Sequence, residues 1–426
     1  MPLGLSTDVL RTIASFVACP YTFQALVELA PYEELGDPLR AFATLARSVP
    51  VAYLWPRLHC DVLTPDELAS VDAFASLRPL LCFGGIPRAN YSFLDEARVA
   101  FSKHVSLAVA SALLGPRVEE LSLTLDRADD PSDITAFLEA LAAAPRLRKV
   151  QLRLGATLVP RLVAPVLHAL FHHPSIKDVA IDGSTWETVP PFVTYMLIEL
   201  LHEPRMEAFA LRGMAPQDDG PLMDALRNST LRSVDFVRQA NLSDQLPASL
   251  RHLRLQSKFG GAWQPAEVLA GARLTRLELL GAAATTFTTK PMDLCSALRA
   301  MPTLEYLAVD HVSASVGQSL AEVLPTLMHL EDLRLDCAAI SAADLGFLAR
   351  CRRLQRAALR NIAWDHVRTW ELWIDDAASS PLRHLCLAGH AIPTADLARL
   401  FDVLCPRLCV CCLDTSDRCS LPDAKD

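Results

Sequence analysis

Twelve short segments between residues 118 and 413 carry apolar residues at their first, fourth and sixth places, and no other feature of the chain restricts its fold as strongly. The phrase is plainest in LRHLRLQ, residues 250–256, and LRHLCLAG, residues 382–389. The copies run Val118/Leu121/Leu123, Leu147/Val150/Leu152, Ile176/Val179/Ile181, Met206/Phe209/Leu211, Leu231/Val234/Phe236 and Leu250/Leu253/Leu255. They continue as Leu274/Leu277/Leu279, Leu304/Leu307/Val309, Leu330/Leu333/Leu335, Leu354/Ala357/Leu359, Leu382/Leu385/Leu387 and, more weakly, Leu408/Cys411/Leu413. Successive copies start 19 to 30 residues apart. In extended chain the fourth and sixth residues point to one side. Each copy therefore has one apolar edge that it cannot cover alone, and stacked copies bury a continuous core.

The connectors complete the unit. Ile134, Phe137, Leu138 and Leu141, and again Leu397, Leu400, Phe401 and Leu404, are spaced as one apolar stripe of a helix. Pro116, Pro145, Pro174, Pro204, Pro302 and Pro406 each stand two residues before a copy. Proline cannot continue a helix, so these six punctuate the connectors and account for part of the total of 29 prolines. The 19-residue gap after Leu231 is too short for a full helix, and LSDQLPASL predicts a tight turn there.

This period and core resemble the leucine-rich repeat family, over about two thirds of the chain. The resemblance implies an α/β fold: a leucine-rich-repeat solenoid, a horseshoe with parallel strands on its concave face and helices on its convex face. The family's usual Asn or Cys at the ninth place is missing; Asp126, Gly155, Ser184, Met214, Ala338, Ile362 and His390 stand there. With its long gaps the chain is most similar to the ribonuclease-inhibitor-like branch and to the repeats of F-box proteins. The expected organisation is a helical module at 1–58, an irregular helical connector at 59–117, about twelve repeats at 118–414 and a tail at 415–426.

Composition excludes several function classes. The chain is 51% hydrophobic and 21% charged, as globular chains are. Its net charge of −9 argues against nucleic acid as a partner, which needs a basic face. MPLGLSTDVL has no basic region followed by an apolar core, so it does not read as a secretory signal, and no run approaches a membrane span. Twelve cysteines are then read as reduced thiols of a cytoplasmic protein, the nucleus being the other compartment considered. Phosphate-binding and nucleophile motifs are missing from the sequence, so neither enzyme activity nor a cofactor is expected. The tail cysteines Cys405, Cys409, Cys411, Cys412 and Cys419 lack the second ligand pair of a zinc site, and packing is the expectation for them. His172 and His173, at a helix end, read as capping or solvated groups.

The third, fifth and seventh places of each copy face the opposite way, onto the concave side of such a solenoid. They include His252, Arg254, Arg276, Tyr306, Asp332, Arg334, Arg356, Arg360 and His384. Either this polar stripe is simply solvated, or it binds a protein partner, as inner faces of solenoids do. Tyr306, Arg334, Arg356 and Arg360 are the strongest anchors on the second reading, because Tyr and Arg dominate interface hot spots.

Residues 1–58 lack the repeat. Ser6 or Thr7 can cap a helix burying Val9, Leu10, Ile13, Phe16 and Val17. Leu5, Asp8, Leu10, Ile13 and Phe16 resemble the opening of an F-box, with Ser6 in place of its proline. Leu54, Trp55 and Leu58 resemble its close; the middle, broken by Pro20, Pro31 and Pro38, departs from it. The resemblance implies a substrate-recognition adaptor of a cullin-type ubiquitin ligase. Leu5, Val9, Leu10, Ile13 and Phe16 would then contact a Skp1-like adaptor or support that contact, and the repeats would hold a protein substrate. The alternative is a helical cap on a protein-binding scaffold without ubiquitin transfer.

Overall fold

The computed structural model describes residues 17, 20–29, 31–75, 77, 79–83, 98–125, 130–155, 160–183, 188–213, 215–216, 219–237, 246–257, 269, 272–281, 291–310, 314–336, 347–360, 381–386 and 410–412. The chain divides into two compact units between Ile181 and Asp182.

In the first unit, parallel strands follow one another in chain order: β1 (Arg57–His59), β2 (Leu80–Phe83), β3 (Arg98–Val105), β4 (Val118–Leu125), β5 (Lys149–Leu154) and β6 (Asp178–Asp182). The second unit adds β8 (Ala208–Arg212), β10 (Ser233–Val237), β11 (His252–Ser257), β12 (Arg276–Gly281), β13 (Tyr306–Val309), β14 (Asp332–Asp336), β15 (Arg356–Arg360), β16 (His384–Cys386) and β17 (Val410–Cys412). A separate two-stranded pair joins β7 (Thr188–Val189) to β9 (Ala215–Pro216). The fold is thus an α/β solenoid, with fifteen parallel strands in its main sheet among the described residues.

All twelve expected copies carry a strand. Their apolar places stack in register: Val234, Leu253, Leu277, Leu307, Leu333, Ala357 and Leu385 form one row across β10 to β16. Phe236, Leu255, Leu279, Val309, Leu335 and Leu359 form the next. Leu253, Leu277, Leu307 and Leu333 are fully buried. In the helix Pro131–Ala142, Ile134, Phe137 and Leu141 are buried as the stripe requires, while Leu138 is only partly so. Asp130 caps this helix, its side chain accepting from the Ser132 amide at 3.0 Å. The second expected stripe, Leu397 to Leu404, lies outside the described residues.

The prolines act more specifically than as helix stops. The amide of Val118 donates to the Gly115 carbonyl at 3.2 Å, Leu147 to Ala144 at 3.1 Å, Ile176 to His173 at 3.3 Å, Met206 to Glu203 at 3.1 Å and Leu304 to Met301 at 3.2 Å. Each is a β-turn closing on the first apolar residue of a copy. Pro116, Pro145, Pro174, Pro204 and Pro302 occupy its second place, where a fixed φ near −65° is already correct. Pro406 lies outside the described residues. The short connector ends in the expected turn: Leu250 N donates to Pro247 O at 3.0 Å, and the Ser249 hydroxyl to Leu231 O at 2.7 Å.

At the start of β8 and of β10 to β15, one carbonyl serves two amides of the next copy. Arg251 O accepts from Thr275 N (2.8 Å) and Arg276 N (3.0 Å), and Thr275 O from Glu305 N (2.8 Å) and Tyr306 N (3.0 Å). Glu305 O accepts from Glu331 N (2.8 Å) and Asp332 N (3.0 Å) in the same way. This shared acceptor sets the register in repeats that lack an asparagine ladder.

One expectation is corrected. Residues 59–117 are not an irregular helical connector, for the ladder already runs through β1, β2 and β3, with helices Pro65–Ala75 and Leu107–Leu113 between rungs. Their phase was hidden because β1 has three residues and all four of β2 are buried, which removes any alternation. In addition, β3 pairs with β4 through register shifts. Leu54, Trp55 and Leu58 are the core of the N-terminal module. Trp55 stacks on Phe23 (4.4 Å between centroids), Phe23 meets Phe42 edge-on (4.7 Å), and the Trp55 N–H donates to the Val17 carbonyl. Leu5, Val9, Leu10, Ile13 and Phe16 lie outside the described residues.

Because the apolar edge carries the stacking, Leu277→Ala should lower the unfolding free energy in urea titrations by about 2–5 kcal/mol. Pro302→Ala should lower it by less than about 1 kcal/mol. Equal losses would place the stability in the turns instead.

Candidate partner-binding face

All nine outward residues singled out from the sequence stand on β11 to β16, within the second unit. Register sorts them into rows. His252, Arg276, Tyr306, Asp332, Arg356 and His384 align in one row. Arg254, Glu278, Ala308, Arg334, Ala358 and Cys386 align in the row beside it. Arg360 pairs in register with Asp336 in a third.

The charges in these rows interlock across rungs. Arg276 brings Nε (2.8 Å) and Nη2 (2.7 Å) to one oxygen of Glu278. Arg254 Nε approaches the other Glu278 oxygen at 3.5 Å and Asp235 at 3.9 Å. His252 stands 3.5 Å from Glu278 through Nε2, and its Nδ1 is 3.1 Å from the Ser233 hydroxyl. Arg212 bonds Asp235 at 2.7 Å, and Arg356 Nε bonds Asp332 at 3.1 Å. The Tyr306 ring lies between Arg276 (4.0 Å) and Arg334 (5.2 Å), a cation–π arrangement with a guanidinium from each side.

Depth separates the signs. Tyr306 is 7% exposed and Asp332 is 4% exposed, so these two are not surface contacts as the sequence suggested but the floor of the face. Strand parity points them outward; the arginines of neighbouring rungs, only about 4.8 Å away, then lie over them. Two contributors escaped the sequence reading, Asp235 and Arg212. Both sit at outward places of preceding copies, the fifth after Leu231 and the seventh after Met206, so the same parity rule reaches them.

The environment holds these groups in single protonation states at neutral pH. Burial alone would push the Glu278 carboxyl up. His252, Arg276 and Arg254 outweigh it and hold that carboxyl at about 2, so Glu278 stays ionised. Burial raises the Tyr306 phenol despite the opposing charge of Arg334, so it stays neutral. Burial, then Arg356 and Arg383, lower the His384 imidazole.

Other weighed residues take structural places. His172 is exposed, its Nδ1 2.9 Å from the His168 carbonyl and its ring stacked on His168. His173 is 9% exposed. Cys411 lies on β17, in register with Leu385. Among the described residues no group of three or more His, Cys, Asp or Glu is placed to hold a metal ion, and no helix is long and apolar enough to cross a membrane.

One strand per repeat, stacked in parallel with helices and turns between, is the leucine-rich-repeat architecture. No family model matches the chain, and no curated protein matches it. Among solved structures it is similar to a chain of the Rad7 and Elc1 complex in yeast, at 13% identity and a TM-score of 0.49, covering 75% of this chain and 83% of that one. It is also similar to an internalin (InlF) from Listeria monocytogenes, at 12% identity and a TM-score of 0.32, covering 82% and 94%. A third likeness is to TLR13 in its complex with ssRNA13, at 13% identity and a TM-score of 0.30, covering 81% of this chain and 55% of that one. All three scores lie under 0.5, so the architecture rests on the ladder itself.

The Glu278 carboxyl is held below its ordinary value of 4.5, so its contribution to stability is fully present above that pH and disappears as pH falls towards about 2. The urea midpoint of the wild type should exceed that of Glu278→Gln at neutral pH, with the gap closing progressively on acidification below about pH 5. A gap that is independent of pH would mean that Glu278 is not ionised within the arginine cluster.

Proposed function

We propose that the chain is a non-enzymatic recognition subunit that binds a protein through the outward face of β11 to β16. The observation that carries this reading is the depth order of that face: arginines outermost, pinned by carboxylates and a tyrosine ring beneath them. Guanidiniums already fixed in place lose little freedom on binding, which is what a recognition surface requires. The residues proposed to touch the partner are Arg254, Arg276, Arg334, Arg356, Arg360, His252 and His384, with Tyr306 and Asp332 supporting them from below.

The finer reading is that the helical module at 1–58 couples this face to a ubiquitin ligase through a Skp1-like adaptor. It is supported by the F-box-like residues Leu5, Leu10, Ile13 and Phe16 ahead of the repeats. Delivery would then act by proximity, raising the effective concentration of the bound substrate near a catalytic partner. One observation favours the second reading, a plain helical cap: Leu54, Trp55 and Leu58 are buried at 0%, 4% and 0% exposure, spent on the module's own core and the first rung.

The two separate cleanly. If the module is an adaptor site, the full-length chain binds a Skp1-like adaptor with a dissociation constant on the order of micromolar, and Leu10→Asp with Ile13→Asp abolishes it. If it is a cap, no binding appears at that concentration and depletion of the chain leaves its partner's cellular lifetime unchanged.

A further inference from the structure

The depth order of the face also says what kind of partner it takes. In three of the ion pairs across β8 to β15, the arginine side chains Arg212, Arg254 and Arg356 are 43%, 35% and 32% exposed. Their acids Asp235, Glu278 and Asp332 are 12%, 9% and 6% exposed. Arg276 shares Glu278 and covers Tyr306 at 15% exposure. An approaching molecule therefore meets guanidiniums first, while the compensating charge lies a layer below, nearer the apolar core. We propose that this face is a pre-organised receptor for the side-chain carboxylates of an Asp- and Glu-rich protein segment lying across the rungs.

Three physical points lead to that occupant. Guanidinium forks match a carboxylate two N–H groups to two oxygens, and the Tyr306 ring holds the Arg276 and Arg334 guanidiniums over it, 4.0 and 5.2 Å from its centroid, before anything binds. The recessed acids Asp235, Glu278 and Asp332 keep Arg212, Arg254, Arg276 and Arg356 ordered without standing between them and a ligand, while Asp310 and Asp336 are half-buried, as the arginines are. Summed over depth the face is nearly neutral, with Arg254, Arg276, Arg334, Arg356 and Arg360 set against Glu278, Asp310, Asp332 and Asp336. On a chain of net charge −9 such a face suits discrete carboxylates better than the continuous charge of a nucleic acid, whose binding scales with the number of phosphates neutralised. The inference rests on the reading of this face as a protein-binding surface and adds the chemistry of what it binds.

The test uses the full-length chain and fluorescence anisotropy with four labelled probes: dodecaglutamate, dodecalysine, dodecaserine and a twelve-nucleotide oligothymidylate. Dodecaglutamate should bind, more weakly as salt rises, and dodecalysine and dodecaserine should not. The triple variant Arg254→Gln, Arg334→Gln, Arg356→Gln should weaken dodecaglutamate binding by at least about tenfold. The triple variant Arg232→Gln, Arg299→Gln, Arg352→Gln removes the same charge from exposed positions at a bend, a helix end and a turn, and should leave binding within about twofold. If the first variant does not fold, the lysine counterparts at 254, 334 and 356 carry the test, keeping the charge but losing the fork, with an intermediate loss expected. Equal losses in both glutamine triples, preference for dodecalysine, or oligothymidylate bound more tightly than dodecaglutamate would each overturn the proposal. So would a cellular partner whose binding depends on these arginines while dodecaglutamate does not bind at all; that result leaves the protein-binding reading standing. A partner indifferent to all the arginines defeats the reading itself.

Discussion

At the start of β8 and of β10 to β15, one backbone carbonyl accepts two amide protons from the next rung, as Arg251, Thr275 and Glu305 do in succession. That shared acceptor sets the register between neighbouring copies, and register decides everything displayed on the outward face. A slip by one residue would turn Leu253, Leu277 and Leu307 outward and send Arg254 and Glu278 into the core. The apolar row and the carbonyl hand-off therefore enforce each other. The β-turn before each rung, often with proline at its second place, delivers the chain to that acceptor in the same way each time.

With register set, side chains from different repeats become neighbours at fixed spacing, and the face can be built as layers. Acids in one rung lie beneath arginines of the same or the next. This arrangement is not a source of large stability, because desolvating a carboxylate and a guanidinium offsets most of their attraction. Its consequence is order. Removing one member would leave a recessed charge uncompensated, at about 3–5 kcal/mol for a fully buried pair. Tyr306, on the rung between Glu278 and Asp332, lies under Arg276, which also holds Glu278.

How much of this could be read from the sequence follows from what each signal encodes. The twelve copies were legible because strand parity and a recurrent spacing agree, and each carries a strand. The first three rungs were not: β1 is too short to show a phase, β2 is buried on both faces, and β3 meets β4 through register shifts. The nine face residues follow from strand parity, which reports direction but not depth. Tyr306 and Asp332 point outward and are nevertheless covered, because long side chains from adjacent rungs reach across the gap. Asp235 and Arg212 were within reach of the same rule applied one and two copies earlier. The six prolines were recognised as punctuation, but the turn they occupy depends on a hydrogen bond to a residue of no particular type.

The most direct measurement of the account is a map of where a bound partner lies. Photoreactive residues introduced singly at Gln256, Arg334 and Arg360, and separately at Tyr195, Arg299 and Met328 on helices and turns, can be activated in cells and the adducts identified. The account predicts that covalent capture of one and the same partner occurs from Gln256, Arg334 and Arg360. Capture of that partner only from Tyr195, Arg299 and Met328 would contradict it, for the layered arginine face would then be solvated surface and nothing more.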